Sequence, residues 1–542
     1  MRYILQADLF FNAPSSFEYL LRSKSHPTML DNGPGLYLAV SALMVAVLSY
    51  NRKYWLNQSH PPLPPGPTPL PVLGNVLSLD FARPWLTFNA WRSTYGDIIY
   101  ARLLNKPIMV VNSEEVAKDL FERRSSIYSD RPQSIVYEAF ASDFNMGFMP
   151  YGNRWRLHRR IFHQAFHQAA TPTHQAVQLR SAHKMLSSLL QDPDNYPDHF
   201  QIFTLTFMLS IIYDCEAKAE DDHVVHAITK YGELIVDGFA PAAMTLMETF
   251  PFLLKLPTWF PGATFKQASL KCIQAGHDVK EIPFQYVKER MSANDMGPCL
   301  VADALNKTSQ EDDVYTTAVK EAASVAFTAA TETTTATLLV FFLAMVLNPE
   351  VQAKAQAEID RVVGKDRLPN FNDRPALPYL EAVLRETLRW HPVIPMGVPH
   401  ATTTSDIYNG YFIPKGVAVF PNAFRAMTHD TTKYPSPNEF KPERFFQADG
   451  ALNDDNMRLG FGWGRRICVG RHVVDASLWI AMANFLAFFS AHNALDEHGM
   501  DIPVVPKFTT GFTVRPETFP CRILQRFPDA SLRTLTRSTS LE

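Results

Sequence analysis

The run EAASVAFTAATETTTATLLVFFLAMVLNP, from Glu321 to Pro349, limits what this chain can fold into more than any other stretch. Its residues are small or apolar almost throughout, so it reads as one helix starting near Glu321 and stopped by Pro349, which has no amide donor to continue it. Ala322, Ala326, Ala329, Ala330 and Thr333 recur at three- and four-residue steps, giving a stripe with almost no side-chain bulk. Such a stripe suits close helix packing, or a flat ligand lying against the helix. Beside it stand an acid and an alcohol, Glu332 and Thr333, where burying polar groups is costly unless they are used.

Helical periodicity dominates from about residue 80 onward: SEEVAKDLFERR, PEVQAKAQAEIDRVV and LPYLEAVLRETLRW repeat apolar residues at three- and four-residue intervals. Strand-like pieces are few and short. DIIYARLL with KPIMVVN predicts a hairpin, and GYFIPKGVAVFPN predicts a second one. The fold class expected is mainly α with small β-sheets, a single large domain over residues 76–542. Its 46% hydrophobic content supplies ample core, and a net charge of −3 offers no basic excess for nucleic acid. Cys215, Cys272, Cys299, Cys468 and Cys521 are odd in number, scattered and free of CxxC spacing, which encodes neither a disulfide framework nor a zinc site and fits a reducing compartment.

Ahead of this domain, GLYLAVSALMVAVLSY, Gly35 to Tyr50, is uncharged and closed by Arg52, Lys53 and Trp55, residues that favour a membrane interface. It predicts a short transmembrane anchor at 34–50, preceded by a leader at 1–33, with translation from Met29 as an alternative start. Residues 51–75 form a basic and proline-rich linker whose prolines favour an extended spacer. Asn57 and Asn306 open glycosylation sequons.

The chemistry points to FGWGRRICVG, Phe461 to Gly470. Gly464 and Gly470 bracket Cys468, and the apolar helix RHVVDASLWIAMANFLAFF follows, so the sulfur stands just ahead of a helix N-terminus, where free amides favour a thiolate. A lone cysteinate cannot complete a zinc site, but it can serve as the one proximal ligand of a haem. Arg466 is near enough to reach a propionate.

Here the stretch resembles the cytochrome P450 signature Phe-x-x-Gly-x-Arg-x-Cys-x-Gly, matched by Phe461, Gly464, Arg466, Cys468 and Gly470. The resemblance spans roughly residues 60–525 and implies the cytochrome P450 fold behind a single N-terminal transmembrane helix. It implies haem b, with Cys468 as axial iron ligand, Trp155 and Arg159 of WRLHR bonding a propionate, and His400 also on the cofactor. Glu386 and Arg389 of ETLR, with Arg444 of PERF, would form a buried network supporting the haem loop. Glu332 and Thr333 would organise water and deliver protons. Similar enzymes carry glycine where this chain has Ala330, so an extra methyl is expected beside the oxygen groove.

The reaction so implied is insertion of one oxygen atom from dioxygen into a hydrophobic molecule, such as a terpenoid, steroid or polycyclic aromatic. No GxGxxG follows a strand in a βαβ context, so electrons from NADPH would come through a separate NADPH-cytochrome P450 reductase, docking near Arg465, Arg466 and Arg471. The expected location is the endoplasmic reticulum membrane, catalytic domain in the cytosol. FMPYGNRWRLHRR, LRWHPVIPMGVPH and FTTGF look like fungal members of secondary metabolism or xenobiotic oxidation, including the O-methylsterigmatocystin oxidoreductase-like type. A haem-thiolate isomerase or dehydratase, and a catalytically silent binding protein, are the competing classes.

Overall fold

The computed structural model describes residues 60–527 apart from 105, 217–222, 239–240, 261–262 and 308–311, together with Ser41 and Met44. The leader, the rest of the anchor, and Asn57 lie outside the described residues. A compact unit runs from Pro62 onward.

Its longer helices are α1 (Pro84–Tyr95), α2 (Asn153–Phe166), α3 (Thr171–Gln191), α4 (Tyr196–Tyr213), α5 (His223–Gly238), α6 (Pro241–Thr249), α7 (Thr264–Ser292), α8 (Asp313–Leu347), α9 (Pro349–Val362), α10 (Pro378–Trp390) and α11 (Arg471–Phe488). The predicted apolar helix is α8, and it begins eight residues earlier than its composition suggests. Asp312 caps it, accepting from the amides of Val314 and Tyr315, a polar start that hydrophobic periodicity does not register. Every residue from Thr334 to Val346 is buried, and α8 belongs to the largest core cluster with α3, α4 and α11. Among the described residues it is the one helix long and apolar enough to cross a membrane, and its burial makes it a core helix instead.

The main sheet has strand order β1-β2-β6-β3, from β1 (Ile98–Leu103), β2 (Lys106–Val111), β3 (His400–Ala401) and β6 (Ala418–Pro421). β1 and β2 pair as the expected antiparallel hairpin, with Ile98 opposite Val111. GYFIPKGVAVFPN is not a hairpin. Its first half, β5 (Tyr411–Ile413), pairs with β4 (Asp406–Tyr408), while its second half, β6, pairs in parallel with β2 and antiparallel with β3. Asn409 and Gly410 between β4 and β5 have φ +49° and +78°, the left-handed pair that a tight two-residue turn requires. The Pro414–Gly416 turn bonds to Thr402 instead, with Thr402 Oγ1 donating to Pro414 O at 2.7 Å and Gly416 N donating to Thr402 O at 2.9 Å. A smaller sheet joins β7 (Phe489–Leu495) to β8 (Asp501–Ile502) and β9 (Cys521–Gln525).

The proline-rich stretch is not a free spacer from Pro62 on, because it lies along β1. Tyr100 N donates to Pro65 O at 2.9 Å, and Asn75 Oδ1 accepts from Arg102 N at 2.9 Å. A Cβ on Gly66 would stand 1.9 Å from Tyr100 O, so only glycine permits this approach.

Candidate functional site

The loop before α11 is tightly wound. Met457, Gly462 and Gly464 all have positive φ, and Gly464 lies against the carbonyl of Phe121. Phe121 sits in a π turn, Asp119–Arg123, that continues the α-helical turn Glu114–Lys118, so SEEVAKDLFERR is not the single regular helix its periodicity predicts. Gly470 has φ −76°, and a Cβ there would meet Cys468 Sγ only at 4.0 Å. Its contribution is its amide rather than its missing side chain.

Cys468 N donates to Phe461 O at 2.8 Å, which closes the loop. Cys468 is exposed although its neighbours Ile467 and Val469 are buried, so the loop turns this one side chain outward. The sulfur is open on one side yet surrounded by protein on the others, and this desolvation raises its pKa. The amides of Gly470 and Arg471 and the charges of Arg159 and Arg471 act in the opposite direction without overcoming it. The predicted helix-end preference for a thiolate is therefore present but outweighed. A cation bound at the sulfur supplies the charge that reverses the balance.

Around the loop stand the buried guanidiniums of Arg131 and Arg466 and the half-buried one of Arg159, bonded mainly to carbonyls. Arg466 donates from Nε to Ser129 O at 2.7 Å, from Nη2 to Met149 O at 2.9 Å and from Nη1 to Met146 O at 3.2 Å. Its guanidinium lies 4.6 Å from the ring centre of Trp155, which is 5% exposed. Arg159 Nη1 donates to Ile467 O at 2.6 Å and so ties α2 to the cysteine loop. Arg131 donates to Gly147 O, Val398 O and Pro399 O. His400 is buried, its Nδ1 2.7 Å from Tyr128 O and its ring stacked on Phe121 at 4.1 Å.

Burial pushes Arg466 down to about 10 and Arg131 well below its ordinary value, and the two repel each other and His400. Asp130 is the one carboxylate among the charges that act on both arginines. Buried cations facing mostly neutral oxygens are costly unless an anion joins them. A planar cofactor with an anionic edge and one open axial position for sulfur fits this donor set.

Sequence reasoning passed over Arg131, because Asp130-Arg131-Pro132 reads only as a charged turn. The carboxylates and guanidiniums read from ETLR and PERF do meet: Arg389 donates to Glu386 from Nε at 2.6 Å and from Nη2 at 2.8 Å, and Arg444 Nε reaches the same carboxylate at 3.1 Å. Glu386 and Arg389 are fully buried, and the two arginines also bond the carbonyls of Thr428, Pro435, Ser436, Pro437 and Glu439.

On α8 the buried surface is interrupted between Phe327 and Thr334. Ala329 and Glu332 are exposed there, and Thr333 is half-buried. Thr333 Oγ1 donates to Ala329 O at 2.9 Å, leaving its lone pairs free to accept. Although its side chain opens onto this gap, the protein packed around it withholds enough water to raise the Glu332 carboxyl, while the neighbouring Thr513 hydroxyl and the Arg515 charge pull it down. The Ala330 methyl packs half-buried against the core, so the side chain on the open face is Ala329, not the residue that replaces the usual glycine. α8 and the cysteine loop are both bonded to α2, the former through Glu321 and the latter through Arg159.

Residues 64–519 match the family model described as Cytochrome P450. The chain belongs to the cytochrome P450 family. It is 37% identical over 497 residues to cytochrome P450 monooxygenase 136 of Postia placenta, covering 90% of this chain and 94% of that protein. It is 35% identical over 489 residues to cytochrome P450 monooxygenase COX2 of Coprinopsis cinerea, covering 88% and 91%. Cytochrome P450 monooxygenase claR of Ampulloclitocybe clavipes is 37% identical over 472 residues, covering 86% and 87%. This P450 is accordingly an oxidoreductase of the monooxygenase type with haem b as cofactor. The finer O-methylsterigmatocystin oxidoreductase-like type is not confirmed by these matches.

Proposed function

We propose that Cys468 would hold the haem iron through its sulfur, that Trp155, Arg159, Arg131, Arg466 and His400 would receive the anionic edge of the haem, and that Glu332 with Thr333 would handle protons. The single observation that carries this is one outward-turned cysteine beside buried arginines whose hydrogen bonds go to main-chain carbonyls. Haem, when bound, supplies dioxygen reduction and oxygen transfer to substrate. The chain's own residues orient and shield it. Thr333, its proton engaged by Ala329 O, accepts from water. Glu332, raised by the partial desolvation of its groove, holds a proton at a higher pH than an ordinary glutamate and passes it along that water.

The proposed substrate is a hydrophobic small molecule of fungal secondary metabolism or a xenobiotic, in keeping with the fungal monooxygenases that the chain resembles. Electrons come from a separate NADPH-cytochrome P450 reductase. Residues 34–50 anchor the enzyme in the endoplasmic reticulum membrane, with the catalytic unit in the cytosol. The test is the reduced, carbon-monoxide-bound spectrum of the purified protein. A thiolate-type band that Cys468→Ser abolishes is expected; a histidine-type band, or no haem, overturns the assignment. Thr333→Ala should keep haem and divert electrons to hydrogen peroxide, and fully coupled turnover would remove Thr333 from the proton path.

A further inference from the structure

Glu321 opens the apolar helix α8 as first read and is 6% exposed, yet the chemistry assigned above makes no use of it. Its carboxylate takes Arg154 Nη2 at 2.8 Å on one oxygen and stands 3.0 Å from His158 Nε2 on the other. Both partners lie on α2, and His158 is fully buried. Asp143, 3.5 Å from Arg154, is the remaining charged group in the cluster. The His158 contact is one of proximity, Nε2 at 3.0 Å from the carboxylate oxygen without the angle of a hydrogen bond. Neither ring nitrogen of His158 makes a hydrogen bond, so the imidazole is held beside the carboxylate by packing and proximity.

We infer that Glu321 is a positioning residue that locks the rotation of α8 against α2. The inference rests on the haem-thiolate reading above. Glu332 follows Glu321 by eleven residues, which on an α-helix is about 20° beyond three full turns and about 16 Å along the axis. The two carboxylates therefore share one face of α8, and any rotation that breaks the first swings the second. On α2, His158 lies three residues after Trp155 and next to Arg159, which bonds the cysteine loop. The clamp thus sets the proton-handling pair relative to the helix that receives the cofactor's anionic edge.

Packing alone would not select this arrangement. An apolar pair of similar volume joins two helices without the desolvation cost of a buried carboxylate and imidazole, and it is often as stable or more so. Burial works to raise the Glu321 carboxyl, but His158 and Arg154 outweigh it and keep it ionised. Displacing a reacting group by about 1 Å is enough to lower a rate roughly a hundredfold, so rotational control of α8 has a functional return that stability lacks.

The experiment is the double variant Glu321→Leu/His158→Leu, read by thermal midpoint, carbon-monoxide spectrum, and the ratio of product to hydrogen peroxide per NADPH consumed. With a thermal midpoint at or above the parent's and the thiolate band intact, that ratio should fall at least about tenfold. An unchanged ratio in a haem-loaded, stable variant overturns the inference and leaves a merely structural pair. If the double variant does not hold haem, Glu321→Gln, which keeps size but turns one acceptor oxygen into a donor amide and removes the charge, should lower the same ratio, with Glu321→Asp as the conservative rescue. Loss of the thiolate band in the parent protein would instead refute the haem-thiolate reading itself.

Discussion

Gly464 stands so close to Phe121 that a Cβ added to it would lie 2.0 Å from the Phe121 carbonyl oxygen, and its φ of +54° is one that side chains disfavour. The π turn and the cysteine loop therefore meet backbone to backbone. Gly464→Ala should cost at least about 2 kcal/mol, from strain and overpacking together. The measurement is thermal midpoint and haem content; a variant matching the parent in both would show that the loop has room to shift.

Removing Glu386 leaves Arg389, fully buried, and Arg444 without their carboxylate. Glu386→Gln should destabilise by about 3–5 kcal/mol, the cost of an uncompensated buried charge. Chemical denaturation of the variant checks this, and a loss below 1 kcal/mol would mean that the carbonyls of the 428–439 segment suffice alone.

His391 is stacked on Phe508 at 3.8 Å, and burial, aided by the Arg425 charge, pushes it down to about 3. Between its ordinary value near 6.5 and that value, the unfolded chain binds a proton that the folded chain refuses. Its contribution to stability is therefore complete above about pH 6.5 and declines by about 1.4 kcal/mol per pH unit below it. His391→Phe keeps the stack and removes this slope, so urea midpoints at pH 7.5 and 5.5 should differ less in the variant. Equal pH dependence in both proteins would count against the shift.

Ala330→Gly restores the glycine that similar enzymes carry, but the Ala330 methyl packs against the core and α8 is continuous through it. The expected result is a loss of about 1 kcal/mol from helix propensity with the carbon-monoxide spectrum unchanged, seen as a lower thermal midpoint. An increase in stability would show that the methyl is under compression.

Much of this was legible in the chain. The apolar helix was plain because its burial is written in residue type, and the β1–β2 hairpin because its partners are neighbours in sequence. The failure at GYFIPKGVAVFPN has the same root: turn residues say where a strand ends, not which strand it joins, and β6 finds β2 more than three hundred residues away. Cys468 carried a ten-residue signature, whereas Arg131 and the Glu321 pair carried none. Their significance lies in which carbonyls and carboxylates surround them, and only tertiary structure supplies that. The balance of forces on the thiol was likewise invisible, because a helix N-terminus can be read from sequence but the desolvation opposing it cannot.

The hydrogen bond from Arg466 to Ser129 joins residues 337 positions apart. During synthesis the first half of the proposed anionic-edge pocket leaves the ribosome long before the loop that completes it. At roughly 5–20 residues per second, the interval is tens of seconds. For most of that time Arg131 and Trp155 have been made while Arg466 and Cys468 have not. With the proposed site, cofactor capture is a late event in the life of the nascent chain, and haem supply matters most when nearly all of the protein already exists.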